Sequence, residues 1–408
     1  MNAPEGFAGH FAVVDDELQI GGMPLSMLAA RVGTTPFYVY ERAGLAARVQ
    51  LLRRTLPAEI VLHYAIKANP MPILVGFMAQ HVDGLDVASA RELRIALDAG
   101  MDPAEISFAG PGKTTSELEQ AVGAGILLNV ESFREIRLLE QISNRLGRAA
   151  RVAVRVNPDF ELKASGMKMG GGPKQFGIDA EQVPAALSEI KQLGLAFEGF
   201  HIFSGSQNLR HEAICESQQK ALALAERLAA DAPTPVKVLN LGGGFGIPYF
   251  KGERPLELQP VADNLQRVVA QARASLPQAE LVIELGRYLV GEAGLYVCRV
   301  LDRKISRGEV FLVTDGGLHH HLAASGNFGQ VLRKNYPVII GNRVRGPQRE
   351  VASIVGPLCT PLDLLADKME MAHAEAGDLV VVFQSGAYGF TASPHAFLGH
   401  PPPLEILI

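Results

Sequence analysis

The stretch His63-Tyr64-Ala65-Ile66-Lys67-Ala68-Asn69-Pro70 places a lysine directly after an apolar run, Ile60-Val61-Leu62. The run reads as a strand and Pro70 stops it. Lysine is rarely buried unless it is paired or used. Desolvation lowers the pKa of an amine and makes it a better nucleophile toward a carbonyl. Taken alone, a strand-end lysine is also an ordinary snorkelling side chain. Two other segments bear on it. In Leu241-Gly242-Gly243-Gly244-Phe245-Gly246, glycines let backbone N–H groups approach a phosphate closely. Glu284-Leu285-Gly286-Arg287 adds a carboxylate and a guanidinium. A carboxylate beside a pyridine nitrogen holds that nitrogen protonated and strengthens the ring as an electron sink. A lysine, a carboxylate and a phosphate cradle together point to pyridoxal 5′-phosphate.

These groups need a scaffold that gathers them. Strand-like runs recur at 60–68, 84–89, 106–109, 126–130, 151–156, 197–203, 236–241 and 281–284. Helix-like segments at 90–99, 115–122, 133–146, 183–193, 211–230 and 260–275 separate them. Eight β/α repeats predict a (β/α)8 TIM-like barrel over 37–288, with function at the C-terminal strand ends. Those ends carry Lys67, Asp86, Ser89, Arg155, Asn157, the segment 201–207, Gly242 to Gly246 and Glu284 to Arg287. The glycine run falls after the seventh strand, where this fold usually binds phosphate. An open doubly wound sheet is the alternative, but no GxGxxG opens a helix after the first strand. From 289 to 408 short strands at 295–301, 310–314, 338–340, 350–355, 379–383 and 404–408 predict a mostly antiparallel β domain. The segment 362–372 reads as a short helix or loop within it. Residues 1–36 form an N-terminal segment expected to pack with that domain, and 166–175 read as a mobile loop over the barrel mouth.

The chain has 408 residues, which suits two domains. It is 48% apolar and 20% charged, as globular enzymes are. A net charge of −5 without a basic tract argues against nucleic acid. No run of ~18 apolar residues predicts a membrane span. Met1 to His10 lacks the pattern of a signal peptide. Three scattered cysteines, Cys215, Cys298 and Cys359, fit a reducing cytoplasm and match no metal spacing.

Six segments then share an order. They are 63–69, Gly205-Ser206-Gln207, Gly242-Gly243-Gly244-Phe245-Gly246, Glu284-Leu285-Gly286-Arg287, Gly356-Pro357-Leu358-Cys359 and Gly386-Ala387-Tyr388-Gly389-Phe390. They resemble the ordered motifs of the fold-type III pyridoxal-phosphate decarboxylases, which include diaminopimelate, ornithine and arginine decarboxylases and share the alanine-racemase-like architecture. The resemblance spans nearly the whole chain. It implies that Lys67 carries the cofactor and that Glu284 pairs with its pyridine nitrogen. Ser206, the turn with Gly243 and Gly244, Gly286, Arg287 and Tyr388 would hold the phosphate end. Asp86 and Arg155 match positions near the cofactor. Cys359 matches a thiol that reaches the neighbouring subunit's site and reprotonates the carbanion, which implies a homodimer. Thr360, Asp363, Asn327 and Tyr388 fall where the substrate is contacted. An amino-acid racemase on the same fold is the competing reading, although it would use a second-domain tyrosine rather than the Cys359 motif.

Three departures bear on the substrate. The family's ring-stacking histidine is replaced by Phe203, with His201 two residues earlier on the same predicted strand face. Phe203 is the expected stacking residue, and it cannot donate a proton. Ala323 and Asn327 stand where diaminopimelate decarboxylases carry an Arg and a Tyr for the distal end of the substrate. Thr360 replaces an acidic residue that holds a distal amine. Losing both anchors argues against diaminopimelate. These features, with Gly326-Asn327-Phe328-Gly329 and 392–398, resemble the exosortase-associated and carrier-linked aminoacyl branch, whose substrates have no free distal charge. The expected substrate is therefore a small amino acid or a carrier-protein-bound aminoacyl group, with diaminopimelate itself as the alternative. His319-His320-His321 on a strand would point to alternate faces, so no metal site is expected there.

Overall fold

A computed structural model describes residues 11–161, 167–168 and 170–408. The signal-peptide reading of residues 1–10, and residues 166 and 169 of the expected mobile loop, lie outside the described residues. The chain divides into two compact units.

The first, Arg48–Ile247 with Arg254–Tyr288, is a closed parallel barrel. Its strands are β1 Ile60–Ala65, β2 Gly84–Val87, β3 Ile106–Phe108, β4 Leu127–Val130, β5 Arg151–Asn157, β6 Ala196–His201, β7 Val238–Gly243 and β8 Glu280–Leu285. Each pairs with its neighbour in parallel, β8 pairs with β1, and β4 pairs with β5 to continue the ring. The strands are almost wholly buried, because helices cover one face and the barrel interior the other. The helices that follow β2, β3 and β4 each begin at a side-chain cap. The hydroxyls of Ser89, Thr114 and Ser132 accept the N–H of Glu92, Glu117 and Glu135, each worth about 1 kcal/mol. Helix Phe133–Leu146 then turns Ile136, Leu139 and Ile142 inward at helical spacing. Ser89 is thus spent on a cap. Asn157 is likewise spent, holding Gly171, Gly172 and Asp179.

The second unit gathers Met1–Ala47, Pro248–Glu253 and Leu289–Ile408. Its sheet runs Val338–Ile340, Leu379–Val382, Gly294–Ser306, Glu309–Thr314, Arg349–Val355, Leu364–Ala372. It is antiparallel except between Glu309–Thr314 and Arg349–Val355 and between Phe37–Tyr40 and Leu404–Leu407. Leu25, Leu28, Phe37, Leu295, Val297 and Val381 share one buried core.

Three expectations change here. Strand Phe37–Tyr40 pairs with Gly294–Ser306 and Leu404–Leu407, so the boundary expected at 36/37 moves beyond Ala47. Its apolar run is satisfied by the antiparallel sheet rather than by a β/α repeat. Residues 362–372 form a strand, Leu364–Ala372, because Arg349–Val355 offers a paired edge. The three histidines lie in turns following Glu309–Thr314, not on a strand.

Candidate active site

The chain leaves β1 through a single turn, Ile66–Ala68, that presents Lys67. Tyr64 Oη donates to the Asn69 carbonyl at 2.8 Å, and Asn69 Oδ1 accepts Met71 N–H at 3.1 Å, so the turn is braced on both sides. Lys67 Nζ lies 3.4 Å from Glu284 Oε1 at the end of β8. Glu284 Oε2 lies 3.2 Å from His201 Nε2 at the end of β6. Register produces this meeting, since Glu284 sits opposite His63 on β1 and His201 opposite Arg155 on β5. The side chain of Glu284 is 8% exposed and that of Lys67 47%. The desolvated lysine expected from the strand end is therefore not what folds. The turn carries the amine out of the apolar run, and the buried partner is the carboxylate. Burial pushes the Glu284 carboxyl up, but Lys67, His201 and Arg155 outweigh it and hold it well below the ordinary carboxylate range. It is an anion.

Polar side chains from the next strands line up beneath. Asp86 Oδ1 accepts Ser107 Oγ–H at 2.5 Å and lies 3.0 Å from His63 Nδ1. Asn129 Nδ2 donates to Ser107 Oγ at 3.2 Å. Burial lowers the His63 pKa, yet Asp86 raises it above its ordinary value overall. Arg155 Nη1 donates to Glu131 Oε1 at 2.8 Å, and Glu131 also accepts from Gly110 and Gly177 N–H. Arg155 thus acts from inside a buried pair. His63, Ser107, Asn129 and Glu131 escaped the sequence reading. The available signal was a polar residue inside or just after an otherwise apolar barrel strand, as at Ser107 in β3 and Asn129 in β4.

The glycine run lies beside the segment after β6. Asn208 N–H donates to the Gly244 carbonyl at 2.9 Å, and Gly246 N–H to the Asn208 carbonyl at 2.8 Å. Gly244 has φ +71°, and a Cβ there would stand 2.1 Å from the Gly205 carbonyl oxygen. A Cβ on Gly243 would stand 2.1 Å from that of Glu284. Only glycine permits so close a backbone approach. Ser206 lies in the short pair Gly205–Ser206 with Met167–Lys168. Strand β6 ends at His201, so the shared-face argument for Phe203 does not apply. A Cβ on Gly242 would lie 2.5 Å from Phe203 Cδ2, which sets that ring against the cradle. Gly286 abuts Ala68, and Arg287 begins the turn Arg287–Val290. An amine on a carboxylate anion beside a backbone cradle that only glycine permits fits pyridoxal 5′-phosphate in its donor types.

In the β unit, Cys359 is exposed. Thr360 Oγ1 accepts Leu362 N–H at 3.3 Å. Asp363 is buried, and its Oδ1 and Oδ2 accept the N–H groups of Leu318 and Leu358 at 2.6 and 2.7 Å. Asp363, expected to contact the substrate, has a backbone N–H on each oxygen and pins two loops. Asn327 Nδ2 donates to Ser325 Oγ at 2.8 Å, and Ala323 is buried. Tyr388 is half-buried with φ +54°. His320 Nε2 lies 2.9 Å from the Pro401 carbonyl and His321 Nε2 2.9 Å from Ser385 Oγ. Burial holds these imidazoles neutral, with His320 pushed down to about 4. Among the described residues no group of three or more His, Cys, Asp or Glu is arranged to hold a metal. No helix there is long and apolar enough to cross a membrane.

Residues 42–291 match the family model described as "Pyridoxal-dependent decarboxylase, pyridoxal binding domain". The L-glutamyl-(BtrI acyl-carrier protein) decarboxylase of Niallia circulans is 42% identical over 380 residues, covering 91% of this chain and 88% of that protein. The diaminopimelate decarboxylase of Aquifex aeolicus is 33% identical, covering 97% and 91%. The crystal structure of diaminopimelate decarboxylase from M. jannaschii with L-lysine has a TM-score of 0.89 at 26% identity, covering 98% and 93%. These likenesses bear out the barrel-plus-β fold, the cofactor and the decarboxylase reading over the racemase. The chain belongs to the pyridoxal-dependent decarboxylases, enzymes of fold type III that use pyridoxal 5′-phosphate.

Proposed function

We propose that the chain decarboxylates an L-amino acid whose side-chain carboxyl is joined to a carrier, a glutamyl group on an acyl-carrier protein being the first candidate. One observation carries this reading. The relative from Niallia circulans, 42% identical, is named for that substrate, and the distal positions here, Ala323 and Thr360, carry no charge. Decarboxylation needs the α-amino and α-carboxylate groups free, so the carrier must be linked through the side-chain carboxyl. The linked group has lost its distal charge and needs no ionic anchor.

In this reading Lys67 holds the cofactor and Glu284, an anion braced by His201, faces its ring nitrogen. Phe203 covers the ring. Ser206, Gly243, Gly244, Gly286, Arg287 and Tyr388 hold the phosphate end, and Asp86 and Arg155 set the field around it. Bound there, the cofactor supplies the sink that accepts the electron pair left when CO2 departs. A proton then replaces the carboxylate at Cα, and Cys359 is the proposed donor. We further propose a homodimer that shares its sites and works in the cytoplasm, in keeping with the sparse cysteines.

The test is a substrate panel with CO2 detection. Glutamyl-loaded acyl-carrier protein should release CO2, and free diaminopimelate and lysine should release little. Efficient turnover of the free diamino acids with the carrier-bound substrate ignored would refute the reading.

A further inference from the structure

The sheet of the β unit ends in two strands that do not pair with each other, Val338–Ile340 and Leu364–Ala372. Between them lies a cavity of about 720 Å³. Buried Val338, Ile340 and Met371, with half-buried Met369, form its apolar floor. Methionines suit a surface that must adapt to a partner. The rim carries Lys251, Lys334, Arg349 and Lys368 against one carboxylate, Glu370. That excess stands out in a chain of net charge −5. Arg349 lies 3.8 Å from Glu370 and Lys368 2.8 Å from Glu309. Lys334 lies over the Phe250 ring at 5.2 Å. Among the described residues Lys251 and Lys334 make no ion pair, and both side chains are exposed.

The surface extends past the cavity. Val331 is 99% and Leu332 78% exposed, within about 10 Å of chain from Lys334. Exposed apolar clusters of this kind mark interaction sites. A small anion would occupy the cavity and leave both side chains in water. A folded partner would cover them. Two ties fix this surface to the strand that follows the loop holding Cys359. Arg333 Nη2 donates to the Leu364 carbonyl at 2.7 Å, and the amide of Asn335 exchanges hydrogen bonds with the backbone of Asp367. The strand they grip starts just after the 356–363 loop.

We propose that this groove docks an acidic, amphipathic helix of the carrier protein, apolar face on the methionine floor and carboxylates toward Lys251 and Lys334. The inference rests on the carrier-bound substrate proposed above. Helix-in-groove binding with opposed charges gives both affinity and salt-dependent association.

The test uses two substrates: glutamyl-loaded acyl-carrier protein, and the same glutamyl group as a thioester of free pantetheine. Lys251→Glu with Lys334→Glu should raise KM for the carrier substrate about tenfold or more with kcat kept, and leave the pantetheine thioester unchanged. Raising salt should weaken the wild type and affect the variant less. The milder pair Lys251→Gln and Lys334→Gln, followed with a melting curve, covers a misfolded double variant. Equal losses on both substrates, or an unchanged KM for the carrier, overturn the docking site. So does a shift of the variant's sedimentation to a smaller assembly, which makes the groove an interface between copies. Wild-type turnover of the pantetheine thioester but not the loaded carrier also overturns it. Turnover of neither substrate refutes the substrate reading itself.

Discussion

The barrel and the β unit handle their polar side chains in opposite ways. At the barrel mouth side chains pair with side chains across strands: Lys67 and His201 with Glu284, His63 and Ser107 with Asp86, Arg155 with Glu131. In the β unit the side chains of Asp363 and Thr360 answer backbone N–H groups, those of Leu358 and Leu362 in their own loop and that of Leu318 in another. The first arrangement creates a defined field. The second creates a defined loop shape with little charge on display. On the function proposed above, the first suits a site that holds a fixed cofactor, and the second a loop whose substrate contacts vary.

The comparison breaks most easily at Lys67. Lys67→Ala should abolish the visible absorption band of lysine-bound cofactor and lower kcat/KM by at least ~10³-fold. Retained absorption would undo the cofactor assignment. Glu284→Gln keeps the shape but removes the anion, and should cost ~10²–10³-fold in kcat with the protein folded. A smaller loss would mean that His201 and Lys67 do not depend on that charge. Asp363→Ala leaves two loop N–H groups unsatisfied and should cost about 3 kcal/mol in denaturant unfolding. An unchanged midpoint would show that the loops hold themselves.

The barrel's carboxylates also predict an acid limb. Burial raises the Glu131 pKa, but Arg155, Lys113 and the Gly177 N–H lower it below its ordinary value overall. Its contribution is therefore complete above the unfolded value near ~4.3 and is lost as pH falls through the depressed folded value. Thermal melting should drop steadily below pH ~4.5, and less so in Glu131→Gln, whose neutral amide no longer titrates. The smallest effect is expected at the distal end. Thr360→Asp should raise turnover of free lysine by a few-fold. No gain would show that distal charge is not set at this residue.

The barrel was legible because its code is periodic. Eight apolar runs with caps and glycines between them specify strand, turn and helix locally, and register then brings Lys67 and Glu284 together. The exposure of Lys67 was hidden because one turn after β1 decides it, and the apolar run before it suggests the reverse. Phe37–Tyr40 was assigned to the barrel because a short apolar strand does not announce its partners. The histidine run was read as a strand for a similar reason, since turn geometry there depends on contacts with residues 385–401 that lie far along the chain. The loop-pinning part of Asp363 was hidden because a carboxylate in a loop gives no sign of which backbone groups it accepts.

Asp363 also fixes what this loop can become. It holds Leu358 from one side, and its own N–H and carbonyl bond the Thr360 carbonyl and the Gly356 N–H. A Cβ on Gly317 or Gly356 would run into its carboxylate. Residues 359 to 362 therefore hang between two anchored ends, like a cartridge in a fixed housing. Their side chains are replaceable without refolding the housing, so new substrate preferences in this lineage should accumulate there, while Asp363 and its two glycines stay unchanged.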